Sequence, residues 1–191
     1  MLRAIALAMT EKMEKIVITI LLIAAAIAAA AFLLFSNNPG SQTASLSDSL
    51  VLGNDFKVYR SEKYEFSLEH PKNYGVEVIA EKDGAETIVF QALQADKKQG
   101  FQIFITPFEE TQLTRERILQ DLPGAVLNDL QEAIIGGAAG QNIRALLFWS
   151  EDPLIGRTRE IWFIHNGYLY EVTAYANMDN LLAGIMSTLA F

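Results

Sequence analysis

The sequence predicts an α+β protein: an α/β/α sandwich around an antiparallel sheet, preceded by a single N-terminal transmembrane helix. Three observations carry this prediction. Residues 16–35 read IVITILLIAAAIAAAAFLLF, without one charge. From Phe56 onward, short runs of period-two patterning alternate with turn signals such as Asp83-Gly84 and Asn166-Gly167. The chain closes on a helical stripe of Met178, Leu181, Leu182, Ile185, Met186 and Leu189.

Four segments follow along the 191 residues. Residues 1–15 carry Arg3, Lys12 and Lys15 against Glu11 and Glu14, with Met9 and Met13 as alternative starts. Residues 16–35 form the span. Twenty residues in a helix measure about 30 Å, the thickness of the hydrocarbon core. A core helix of this length without a charge is rare. The apolar region of a cleaved signal peptide runs to about 7–15 residues, shorter than this one. The small residues at Ala24–Ala31 keep cleavage open as an alternative. Residues 36–55, rich in Ser, Asn and Gly, read as a flexible linker. Residues 56–191 are the globular part, with 12 basic and 19 acidic residues, a net −7.

Lys and Arg near the span set its direction. Three precede it, and none follows until Lys57. The positive-inside rule keeps the N-terminus in the cytoplasm and exports the C-terminal domain from the cell membrane. The absence of Cys excludes a disulfide scaffold, a lipid-anchored lipoprotein, a thiol nucleophile and a Cys-ligated zinc site. The acidic balance argues against nucleic acid as a partner.

Within the domain, Tyr64, Phe66 and Leu68 alternate with Glu65, Ser67 and Glu69, and Pro71 to Gly75 ends that run. Val76–Ala80 and Glu86–Ala92 flank Asp83-Gly84 as a hairpin. Phe101–Thr106 is a further strand, closed by Pro107. Leu113–Leu122 reads as a helix, with Thr114 as cap and Pro123-Gly124 as end. Val126–Ile135 supports two readings: Val126, Leu127, Leu130 and Ile134 suit a helix, while Ala133-Ile134-Ile135 before Gly136-Gly137 suits a strand end. Asn142–Trp149, Thr158–His165 and Tyr168–Tyr175 are strands, the last two joined by Asn166-Gly167. These late strands carry apolar residues on both faces. Ile161 and Phe163 oppose Trp162 and Ile164, which predicts a sheet covered on both sides. In the closing helix Gly184 costs roughly 1 kcal/mol relative to Ala.

The run Tyr59-Arg60-Ser61-Glu62-Lys63-Tyr64-Glu65-Phe66-Ser67-Leu68-Glu69-His70-Pro71-Lys72-Asn73-Tyr74 resembles the start of PsbP-like domains. Those commonly begin with Tyr-x-x-x-x-Tyr-x-Phe-x-hydrophobic-x-x-Pro-x-x-aromatic. Gly136-Gly137, the late aromatic hairpin and the ending Ser187-Thr188-Leu189-Ala190-Phe191 are similar too. The resemblance covers about residues 56–191 and implies an α/β/α sandwich. The family includes the extrinsic subunit of photosystem II, a nuclear-transport factor and bacterial envelope proteins of unknown role, so it implies no one function. The expected span departs from the lumenal photosystem subunit.

Reactive constellations are scarce. His70 and Glu69 point to opposite faces of a strand, and His165 sits beside a turn; both are expected at the surface or in turns, without a metal. Ser150 reads as a strand end before Pro153. Gly136-Gly137-Ala138-Ala139-Gly140 lacks the Gly-Lys-Ser/Thr ending of a P-loop and reads as a turn. Glu109-Glu110, Glu151-Asp152 and Glu81 with Asp83 read as solvated loops. Among the hairpin aromatics, mostly core, Trp149, Trp162 and Tyr170 are the candidate partner contacts. The expected function is association: a membrane-anchored extracytoplasmic binding or accessory module, without cofactor or catalytic residues, whose partner is an envelope protein or a small ligand. The alternative is an envelope hydrolase built on two carboxylates. Two facing carboxylates with raised pKa in a cleft favour the hydrolase; an apolar-rimmed patch favours the binder.

Overall fold

A computed structural model describes residues 55–93, 99–122, 127–136, 142–152 and 156–191. The expected N-terminal segment, the span and the linker before Asp55 lie outside these residues, as do Pro123-Gly124 and 137–140. Among the described residues no helix is long and apolar enough to cross a membrane.

Among the described residues nine strands and two helices follow in order: β1 Phe56–Ser61, β2 Phe66–Pro71, β3 Tyr74–Ala80, β4 Glu86–Ala92, β5 Gly100–Pro107, α1 Arg115–Asp121, β6 Asn128–Ile135, β7 Ile143–Asp152, β8 Gly156–His165, β9 Tyr168–Tyr175 and α2 Asp179–Ser187. Strands β3-β4-β5-β9-β8-β7-β6 make one antiparallel seven-stranded sheet. Strands β1 and β2 pair separately. The fold is α+β, as expected. The open reading at 126–135 resolves as a strand, β6, whose register shifts between Asn128 and Gln131. Asp129 there takes φ 56°, and such a bulge protects a sheet edge.

Local chemistry explains the turns. Asn166 and Gly167 have φ 47° and 78°, the left-handed pair that a two-residue hairpin needs. Gly100 has a different reason: a Cβ there would lie 2.6 Å from the Phe90 carbonyl oxygen.

Both sheet faces are covered, as the late strands required. On one face Ile88, Phe90, Ile103, Val172, Ile161 and Phe163 pack in a core shared with Leu182, Ile185 and Met186 of α2. On the other, Phe148, Trp162 and Leu169 pack with Ile118 of α1. The expectation that helices supply both covers needs one correction. A nine-residue helix is about 14 Å long, and seven strands span about 29 Å, so α2 cannot cover its face alone. The β1–β2 hairpin completes the layer. Tyr59 meets Phe90 edge-on at 5.3 Å, and Tyr64 meets Tyr168 edge-on at 5.2 Å. The chain end is fastened to that hairpin. The Ser67 N–H donates to the Ala190 carbonyl at 2.7 Å, and the Ala190 N–H returns a bond to Ser67 at 2.9 Å.

Candidate functional site

The polar centre of the domain lies on the α1 side of the sheet. Register places Glu160 of β8 opposite Thr173 of β9, and Trp162 opposite Glu171. Glu160 and Glu171 are therefore diagonal neighbours on one face. Phe148 stands across from Glu160 on β7, and α1 lays Ile118 into the same cluster.

Glu160 is 4% exposed, yet its carboxylate is fully engaged. Thr158 Oγ1 donates to Oε1 at 2.6 Å, and Ser150 Oγ reaches the same oxygen at 3.4 Å. Thr173 Oγ1 donates to Oε2 at 2.7 Å, with Trp162 Nε1 at 3.4 Å. Ser150 and Thr158 hydroxyls also share a hydrogen bond at 2.9 Å. Burial pushes the Glu160 carboxyl up to about 7, against the four donors that favour its charged form. Burial also holds Glu171 well above the usual carboxylate range; the negative charges of Asp121 and Glu160 add to this, and Arg117 opposes it. Arg117 itself bonds Asp121 at 2.7 Å and Glu110 at 2.8 Å.

The perturbed carboxylates are thus strand residues, and the sequence-level acidic candidates lie elsewhere. Glu109 and Glu110 are exposed, and Asp83 is exposed in its turn. Glu81 accepts a hydrogen bond from Thr87 Oγ1 at 2.9 Å. Glu151 corrects one expectation: it lies in β7, opposite Arg157, and not in a loop. Ser150 corrects another. It is a buried member of the Glu160 network, because β7 runs on to Asp152. A signal for Glu160 and Glu171 existed in the sequence: each interrupts a strand whose apolar residues on both faces demand cover.

Of the two histidines, His165 ends β8 beside the Asn166-Gly167 turn, as expected, and His70 departs from expectation. His70 is not at the surface but 2% exposed, edge-on to Phe90 at 5.2 Å. Its position on β2 turns it into the core with Phe66 and Leu68. Its Nδ1 has no hydrogen-bond partner, and burial lowers its pKa. His165 is half-buried and stacks on Phe191 at 3.7 Å. Among the described residues no three His, Asp or Glu side chains are grouped to hold a metal ion.

Of the candidate contact residues, Trp162 and Tyr170 are 1% and 2% exposed and offer no surface to a partner. Trp149 is half-buried, with the Arg157 and Arg159 guanidinium carbons 4.3 and 4.9 Å from its ring centre. Arg159 in turn reaches Asp179 of α2 at 3.1 Å. The structure therefore separates Trp149 from the other two: Trp162 belongs with the Glu160 network and Tyr170 with the opposite core.

The sequence matches no family model and no curated protein. The fold does have a counterpart among solved structures. The solution structure of cyanobacterial PsbP (CyanoP) from Synechocystis sp. PCC 6803 superimposes with a TM-score of 0.50 at 12% identity, covering 76% of this chain and 98% of that one. The sequence resemblance and the superposition meet in the same conclusion: the C-terminal domain has a PsbP-like fold.

Proposed function

We propose that this chain is a membrane-tethered, extracytoplasmic accessory module that works by association. The observation that carries the proposal is the order of its segments: basic residues, an uncharged run at 16–35, a polar linker, then a closed sandwich. Tethering confines the domain near the membrane and raises its effective concentration towards membrane partners, so weak contacts suffice. Among the candidate contacts, Trp149 with its two arginines is the one that keeps accessible surface. The net −7 of residues 56–191 favours a basic partner surface with salt-sensitive association. The likeness to CyanoP supports an accessory role only through its fold.

The enclosed Glu160 does not favour the hydrolase. A general acid must reach the substrate's leaving group. Both oxygens of Glu160 accept hydrogen bonds from the protein's own side chains, beneath Ile118 and Phe148. The test is crosslinking in cells at native abundance. The full chain is compared with a version exported by a cleavable leader in place of residues 1–35. A specific partner captured by the tethered form and lost, or strongly reduced, with the untethered form supports the reading. Equal capture by both forms, or turnover abolished by Glu171→Gln in a folded protein, overturns it.

A further inference from the structure

The two edges of the main sheet are built differently. Strands β6 and β3 close it, each with a sheet neighbour on one side only. On β6 the register breaks between Asn128 and Gln131, where Asp129 stands at φ 56°. That bulge blunts the edge against further pairing. Strand β3 has no such device. Its register with β4 is unbroken from Tyr74 opposite Ala92 to Ala80 opposite Glu86. It holds no Pro, no Lys and no residue of positive φ. Among the described residues no strand pairs with its outer side. An edge of this kind is a template for another strand.

The sequence of β3 points to which strand that is. Two copies of one strand pair antiparallel about a two-fold axis normal to the sheet. Opposed residues then share a face, and one residue meets itself. Centring the axis on Glu77 opposes two carboxylates, and centring it on Ile79 sets Glu77 against Glu81 twice. Centring on Val76 sets the exposed Val78 against Tyr74, whose side chain is buried in the core. Centring on Val78 sets Val78 on Val78, Val76 on Ala80 and Glu77 on Ile79. Val76, Val78 and Ala80 share the face on which Tyr74 and Val76 join the core, so they form an apolar stripe across the axis. The two Glu77 carboxylates are left on a diagonal of about 7–8 Å, close to the screening length at physiological salt. The same axis keeps both β1–β2 hairpins on one side of the joined sheets. Both Asp55 residues, where each chain enters its domain, lie on that side too. Two copies anchored in one membrane can therefore meet without turning either domain over.

We propose that two copies of this chain associate through their β3 edges, paired antiparallel about Val78, so that their seven-stranded sheets become one. The pairing uses only residues of the domain, so it stands apart from the membrane reading.

The chain has no Cys, so single cysteines report proximity without background. Val78→Cys, Val58→Cys and Ile134→Cys are made separately in the full chain in mild detergent. The three positions are about equally open, at 52%, 52% and 58% exposed. On oxidation V78C is expected to form disulfide dimers about tenfold or more faster than the other two, because the axis brings its two Cβ atoms close to disulfide distance. Sedimentation velocity of the natural chain is expected to show a dimer. Val78→Lys, which sets two ammonium groups on the axis, is expected to raise its Kd about tenfold or more, and Val78→Thr to change it by about twofold at most. Circular dichroism checks that the variants keep the fold. Equal crosslinking at the three positions, a monomeric natural chain, or a V78K dimer as strong as the natural one would overturn the proposal.

Discussion

Thr173 Oγ1 donates a 2.7 Å hydrogen bond to Glu160 Oε2, joining the central strands β9 and β8 beneath α1. A carboxyl enclosed in this way ties the domain to pH. The folded protein holds Glu160 up to about 7, against an ordinary 4.5. Below pH 4.5 the folded and unfolded chains both carry the proton. Between 4.5 and 7 the folded chain keeps a proton that the unfolded chain has released. The stability this group contributes is therefore full at acid pH and falls as pH rises through that window, by on the order of 3 kcal/mol. His70 and His165, whose pKa values burial lowers, act in the opposite sense below 6.5. Comparison with Glu160→Gln cancels their contribution. The variant is expected to gain on the natural protein by this amount between pH 4.5 and 8, measured by urea unfolding. A difference independent of pH would show that Glu160 titrates normally.

Thr114 caps α1, its Oγ1 accepting from the Arg117 N–H at 3.2 Å. Thr114→Ala is expected to cost about 1 kcal/mol, because one N-terminal donor loses its partner. Thr114→Ser is expected to cost a few tenths at most. Equal losses in the two variants would point to packing of the Thr114 methyl group and away from the cap.

Leu182 lies on the sheet side of α2 and is 1% exposed. Leu182→Asp is expected to destabilise by roughly 3–5 kcal/mol, through loss of apolar burial and an unpaired charge in the core. Asp179→Ala is expected to cost about 1 kcal/mol at most. Asp179 lies in the first helical turn and makes an ion pair with the Arg159 side chain, without capping the helix. Thermal unfolding separates the two cases; equal effects would mean that α2 does not dock.

Much of this fold was legible because periodicity and turn chemistry agree. Tyr168–Tyr175 was read at its observed bounds, since Asn166-Gly167 fixes the register in front of it. Thr114 was legible as a cap because a hydroxyl residue stands just before a helical run. The β1–β2 hairpin as a covering layer was not legible. Whether a strand joins the main sheet or lies across it depends on contacts such as Tyr59 with Phe90, distant in the chain. The Glu160 network was not legible for a related reason. Its hydroxyl partners are Ser150, Thr158 and Thr173 on three strands, and only pairing register brings them together. The burial of His70 follows from its place on β2, whose alternation turns it to the core face with Phe66 and Leu68.

Residues 56–191 contain the described strands and both helices, so a chain beginning near Leu50 is expected to be soluble and to unfold in one cooperative transition. Denaturation followed by fluorescence and circular dichroism should give coincident midpoints. An aggregated product without a cooperative transition would contradict the linker assignment.

The central claim, a domain tethered outside the cytoplasm, is tested most directly by topology. Alkaline phosphatase, which is active only after export, is fused after Lys57, and a parallel fusion carries a fluorescent reporter that matures only in the cytoplasm. An active phosphatase that stays with alkali-washed membranes is expected, together with a dark fluorescent fusion. An inactive phosphatase beside a bright fluorescent fusion would contradict it.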